Sequence, residues 1–145
     1  MAFKNLMNGL LGNMNEVSVD QLQTEYSPYL MDGETITIGF KLVRDVVLFT
    51  DKRIVSFDKQ GTTGQKMRVT SIKLSTIIDV TAETAGFGVD DSEITVTFII
   101  TPYLHANTLQ EDSKKFEFPK KYNIQPLYKM LEELSHANFE RINNI

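Results

Sequence analysis

The feature that most limits what this chain can fold into is a run of about seven short strand-like segments from Glu34 to Lys121, closed by one amphipathic helical segment, Asn123 to Arg141. In the first segment, Thr35 to Val43, Ile36, Ile38, Phe40 and Leu42 alternate with Thr35, Thr37 and Lys41. That period of two assigns one set to each face of a strand. Val46 to Phe49, Arg53 to Phe57, Lys66 to Leu74, Ile77 to Thr84, Glu93 to Thr101 and Lys114 to Phe118 follow. In the sixth, Ile94, Val96, Phe98 and Ile100 are expected inward. Turn signals separate them: Arg44-Asp45, Thr50-Asp51-Lys52, Gly61-Thr62-Thr63-Gly64 and Ala85-Gly86-Phe87-Gly88. Strands recurring every ~8–12 residues describe an antiparallel sandwich or barrel, not a parallel sheet. The closing helix is expected to bury Ile124, Leu127, Tyr128, Leu131 and Leu134, with Asn123 as its cap and Pro126 in its first turn. The chain should therefore be mainly β with a C-terminal helical plug.

Residues 1–33 read as a helical lead to a domain at 34–145. Phe3, Leu6, Met7, Leu10, Leu11 and Met14 recur on one helical face. Gly9 and Gly12 weaken that helix by up to ~1 kcal/mol each, so it needs a surface to lie on. That surface is its own domain, a neighbouring subunit or a lipid interface. The lone Lys4 on the polar side argues against lipid. A second helix follows, with Val19, Leu22, Tyr26, Tyr29 and Leu30 on one side and Ser18 as its N-cap. Pro28 should end it, and Asp32-Gly33 should turn the chain into the first strand.

Several chemistries are poorly served by this sequence. The length suits one domain. No cysteine is present, which removes disulfides, thiolate nucleophiles and zinc–thiolate sites and suits a reducing cytoplasm, the expected location. No apolar run approaches the ~18–20 residues of a membrane span, and the first residues make a poor signal peptide. Asp90, Asp91 and Glu93 cluster without the spacing of a calcium loop. His105 and His136 lie in different elements, outside any His-Glu-x-x-His pattern, and read as surface residues. Ser71, Ser75 and Ser92 lack a nucleophile elbow, and Gly86-Phe87-Gly88 precedes no helix. No catalytic residue, metal or cofactor is expected, and the chain reads as non-enzymatic.

Charge is unevenly distributed. Residues 41–73 carry eight basic side chains against three aspartates, a local +5. Residues 74–112 carry seven acidic side chains and no lysine or arginine, a local −7. Such polarity can steer an anion, or bring identical subunits together head to tail. A pI near 5.2 argues against nucleic acid as partner.

The stretch Gly39-Phe40-Lys41-Leu42-Val43-Arg44-Asp45-Val46-Val47-Leu48-Phe49-Thr50-Asp51-Lys52-Arg53-Ile54 resembles the bacterial pleckstrin-homology-like domain family. So do Asp58 to Lys66, Thr70-Ser71-Ile72, Glu83-Thr84-Ala85-Gly86 and the leading Gly9-Leu10-Leu11-Gly12-Asn13. The resemblance covers nearly the whole chain. It implies the pleckstrin-homology superfold: seven antiparallel strands in two near-orthogonal sheets, one open end covered by the C-terminal helix. It also implies self-assembly into closed rings, with no established enzymatic activity or physiological ligand. The chain departs from the pattern at Lys73-Leu74, where Pro-Tyr is usual, and in a longer Pro102–Asp112 segment. It also lacks the tryptophan that eukaryotic relatives carry on the closing helix, leaving Tyr128 or Phe139 to supply that bulk.

The expected function is a binding and assembly module that self-associates into a homo-oligomeric ring. Arg44, Asp45 and Arg53 are the expected interface charges, Arg because its planar fork grips a carboxylate of the next subunit. Phe3, Leu6 and Leu10 are the expected apolar contacts. Another protein is the further partner considered. The alternative is a peripheral membrane or anionic-ligand (lipid phosphate) module using Lys41, Lys52, Lys59, Lys66 and Arg68. Eukaryotic pleckstrin-homology domains grip inositol phosphates with an extended basic loop between the first two strands. Here that connection is Arg44-Asp45, too short to wrap a polyphosphate.

Overall fold

The computed structural model describes residues 18–42, 45–60, 66–84, 91–120 and 122–145. The Phe3–Met14 segment, Arg44 and the two glycine-rich turns lie outside them. The elements are α1 (Val19–Glu25), a 3-10 turn (Ser27–Tyr29), β1 (Ile36–Lys41), β2 (Asp45–Thr50), β3 (Arg53–Gln60) and β4 (Lys66–Lys73). A second 3-10 turn (Leu74–Thr76), β5 (Ile77–Glu83), β6 (Ser92–Ile99), β7 (Glu111–Phe118) and α2 (Gln125–Asn143) complete the chain. The fold is mainly β, with seven antiparallel strands in two sheets, ordered β1-β2-β3-β4 and β5-β6-β7. The chain divides into two compact units at Lys73/Leu74. The sign of the local charge changes at the same point.

In the first unit α1 is too short to persist without tertiary support. Ser18 Oγ caps it by accepting from Gln21 N at 3.5 Å, and Pro28 falls in the 3-10 turn that ends it. Packing holds it: Leu22 is 1% exposed and clusters with Ile36, Leu48, Val55 and Phe57. α1, expected in the lead, therefore shares the core of the strands that follow. The close approach depends on Gly39, where a Cβ would collide with Leu22 Cδ1. Gly33, at φ 77°, turns the chain into β1.

Strict alternation fails in β1. Ile36 pairs with Thr50 but Ile38 pairs with Phe49, so one extra residue is accommodated between them. The bulge moves Ile36 to the α1 side, with Gly39, while Ile38 and Phe40 point to the opposite face. There Phe40 meets Phe49 edge-on at 6.0 Å.

In the second unit α2 packs on β5 and on the 3-10 turn before it. Asn123 Oδ1 accepts from Gln125 N at 3.1 Å, although the N-cap position itself is Ile124. Buried along the helix are Leu127, Met130, Leu131, Ser135, Asn138 and Ile142. Tyr128 and Leu134, expected inward, are half-buried, and Phe139 is exposed. The helix's bulk thus comes from aliphatic residues, not from an aromatic stand-in for tryptophan. In β6, Ile94 and Val96 are buried as expected, but Phe98 is only partly buried and Ile100 is exposed, while Ile99 points inward. The extra residue between Ile77 and Asp79 lies on β5, while β6 stays in regular register with β7, so Ile99 is buried on the face opposite Ile94 and Val96.

Candidate functional site

The densest polar cluster in the first unit grows from the β2–β3 turn. Thr50 Oγ accepts from Lys52 N at 3.1 Å and Arg53 N at 3.0 Å, which closes the turn. The same hydroxyl donates to Glu34 Oε2 at 2.7 Å. Arg53 grips Glu34 with two donors, Nε to Oε2 at 2.8 Å and Nη2 to Oε1 at 2.9 Å. Its Nη1 donates to Ser71 Oγ at 2.6 Å and its Nη2 to Tyr29 O at 2.7 Å. Met31 N completes the set by donating to Glu34 Oε1 at 2.9 Å.

The Glu34 side chain has no solvent exposure, and burial alone would raise its pKa. The Arg53 hydrogen bonds, the Met31 N–H, the Thr50 hydroxyl and the Arg53 charge outweigh burial and hold it at about 2. The same bonds raise Arg53 above its ordinary value. A carboxylate so held is neither a proton donor nor a base near neutral pH. The cluster is a staple tying Tyr29, Met31 and Glu34 to β2, β3 and β4. Arg53, expected to reach a neighbouring subunit, finds its acid within its own chain.

The other expected residues disperse. Phe3, Leu6, Leu10 and Arg44 lie outside the described residues. Asp45 opens β2 opposite Asp58, and Asp58 has Arg68 as its register partner on the other side. Lys52 lies in the β2–β3 turn and Lys41 at the end of β1. Lys59, paired with Met67, shares the α1 face with Val55 and Phe57. Lys66 and Arg68 project to the opposite face. The five basic residues do not form one surface.

That register exposes something the apolar pattern concealed. Met67 and Val69 lie an odd number of residues from buried Ile72, so they cannot share its face. They are 38% and 39% exposed on the α1 side of β4, the terminal strand of its sheet. Val69 lies opposite Phe57, whose ring centroid is 5.2 Å from that of exposed Tyr29. Tyr29, Val69 and Met67 thus form an apolar strip along a sheet edge, bordered by Lys59 and Lys73.

Among the described residues no group of three or more His, Cys, Asp or Glu is placed to hold a metal ion. Lys115 pairs with Glu93 at 3.4 Å, and His136 approaches Glu132 at 3.4 Å. No helix among them is long and apolar enough to cross a membrane.

Two sheets, seven antiparallel strands and a closing helix define a pleckstrin-homology-like domain. A crystal structure of a pleckstrin homology domain from Shewanella amazonensis superposes with a TM-score of 0.65 at 30% identity, covering 89% of this chain and 97% of that one. A DUF1696-family protein with a pleckstrin-homology domain, from Shewanella loihica, gives 0.64 at 28% identity, covering 85% and 97%. Residues 5–135 match the family described as the bacterial PH domain, and the chain belongs to that family. The uncharacterized protein YjqA of Bacillus subtilis is 38% identical over 120 residues, 82% of this chain and 91% of that protein.

Proposed function

We propose that this bacterial PH domain is a non-enzymatic binding and assembly module that associates with copies of itself into a closed ring. The observation that carries the reading is the β4 edge, which presents Met67, Val69 and neighbouring Tyr29 to solvent. An edge strand offers backbone groups to an added partner, and monomeric proteins usually blunt such edges. Here Lys59 and Lys73, which border the strip, select an acidic partner over an indiscriminate one, and residues 74–112 of another copy supply that charge. A contact between two different surfaces of identical subunits closes into a ring when its rotation permits. The peripheral-membrane alternative draws less support, because the five basic residues are divided between faces and turns.

Light scattering on a sizing column tests this. The expected result is a sharp multiple of 16.5 kDa at tens of micromolar, reduced at high salt. Val69→Asp, at an exposed position, should give a folded monomer. A wild-type monomer at both salts overturns the reading.

A further inference from the structure

The segment between β6 and β7, longer than a hairpin needs, is closed at its base. Ile100 N donates to Gln110 O at 2.9 Å, and Gln110 N donates to Thr101 Oγ at 2.7 Å. Ala106 N turns back to Tyr103 O at 3.2 Å. The result is a compact excursion with tethered ends. Beside it, within the second unit, opens a cavity of about 540 Å³. Leu104 and Leu109 of this loop, Ile78 of β5 and Phe139 of α2 give it apolar walls. Asp79, Glu111 and His105 supply polar groups.

A neighbouring depression of about 470 Å³ shares Ile78, Asp79 and Phe139, and adds Glu132, Glu140 and His136. Among the described residues no lysine or arginine lines either space. Phe139 is the shared wall, and it is 54% exposed although the other large apolar side chains of its helix are buried or half-buried. An aromatic face among carboxylates attracts a cation by its quadrupole as well as by the surrounding charge. The apolar walls favour a ligand with a hydrocarbon body, and the volume is that of a small-molecule site.

We propose that this cavity binds a small organic ammonium ion with an apolar body, its charged end held between Phe139 and the carboxylates of Asp79 and Glu111. The site shares no residue with the β4 edge.

The test uses the full chain and three probes of equal length: octylammonium, octanol and octanoate, titrated while amide resonances are followed. Octylammonium should give saturable shifts concentrated in residues 97–111 and 139–143. Its affinity should exceed that of octanol by about threefold or more, with octanoate weakest. Phe139→Ala should weaken octylammonium about five- to tenfold, and Phe139→Leu, which keeps apolar area, should remove its advantage over octanol. Glu111→Gln should weaken octylammonium about two- to fivefold and leave octanol unchanged. Thermal melts check that each variant folds, as exposed positions should allow. Shifts spread over the whole surface, no saturation at millimolar probe, or octanoate equal to octylammonium would overturn the proposal.

Discussion

In the first unit a helix of seven residues rests on a four-stranded sheet, and in the second a helix of nineteen residues packs against a three-stranded sheet. The means of attachment differ in kind. Around α1 the chain is held by a buried ion pair, Glu34 with Arg53, which also reaches Tyr29 and Met31 just beyond the helix. On α2 the attachment is mostly neutral: Asn138, 5% exposed, donates to both Leu74 O and Ile77 O at 2.8 Å. Arg141 adds one bond to Ser75 O at 2.7 Å, at an exposed position. A seven-residue helix cannot supply its own order, so the segments around it must be fastened strongly. A nineteen-residue helix needs only to be oriented, and two amide hydrogen bonds do that without the desolvation of charge.

The comparison can be broken most severely at Arg53. Arg53→Ala leaves a buried carboxylate without its partner and should cost about 3–5 kcal/mol in urea unfolding. Replacing Glu34 and Arg53 together by methionine should cost clearly less, because no orphan charge remains. A loss below about 1 kcal/mol for Arg53→Ala would show that the pair is not the fastening argued for it.

Acid should separate the two units next. The Glu34 carboxyl titrates at about 2 in the folded chain against an ordinary 4.5. Its contribution is therefore fully present above pH 4.5 and is lost as the pH falls towards 2, roughly 3 kcal/mol in all. Amide exchange measured from pH 6 to pH 3 should show β1–β4 losing protection while the Asn138 anchor of α2 is unaffected. Equal loss in both units would remove the distinction.

Asn138→Ala should cost about 2 kcal/mol, because it strips donors from two carbonyls. The cost should be the same at pH 7 and pH 4, since the amide that makes these two bonds does not titrate. The smallest effect is expected at the α1 cap. Ser18→Ala should cost about 0.5–1 kcal/mol, seen as faster exchange in residues 19–25 alone. A larger loss would mean that α1 bears on its surroundings more than its length suggests.

Much of the architecture was legible in one dimension. Period-two runs located the strands to within a few residues, and the 3.6-residue stripe located α2. Ser18, Pro28 and Asp32-Gly33 marked the ends of their elements, because caps and turns depend on neighbours a few residues away. The functional surfaces were less legible. Arg53 drew notice as a charge, but Glu34 did not, since nothing local links two residues nineteen positions apart. The turn chemistry of Thr50 was the available hint, its hydroxyl being the group that both closes the turn and reaches Glu34. The exposed Met67 and Val69 were in principle readable from their odd spacing from Ile72. Phe139 resembled a core residue until the helix showed which side it occupies.

By itself, the sequence determined the order and nature of the elements, the change of charge at Lys73/Leu74 and the family, all of which rest on local periodicity, composition and motif. The tertiary structure decided which partners those elements found. A single bulge beside Thr37 moved Ile36 to the α1 face, β3–β4 register placed Lys59 and Arg68 on opposite faces, and the approach of α1 to Gly39 left Leu22 at the centre of a core. Pairings of that kind depend on register and on packing between distant segments, and a shift of one residue reverses every face assigned by pattern alone.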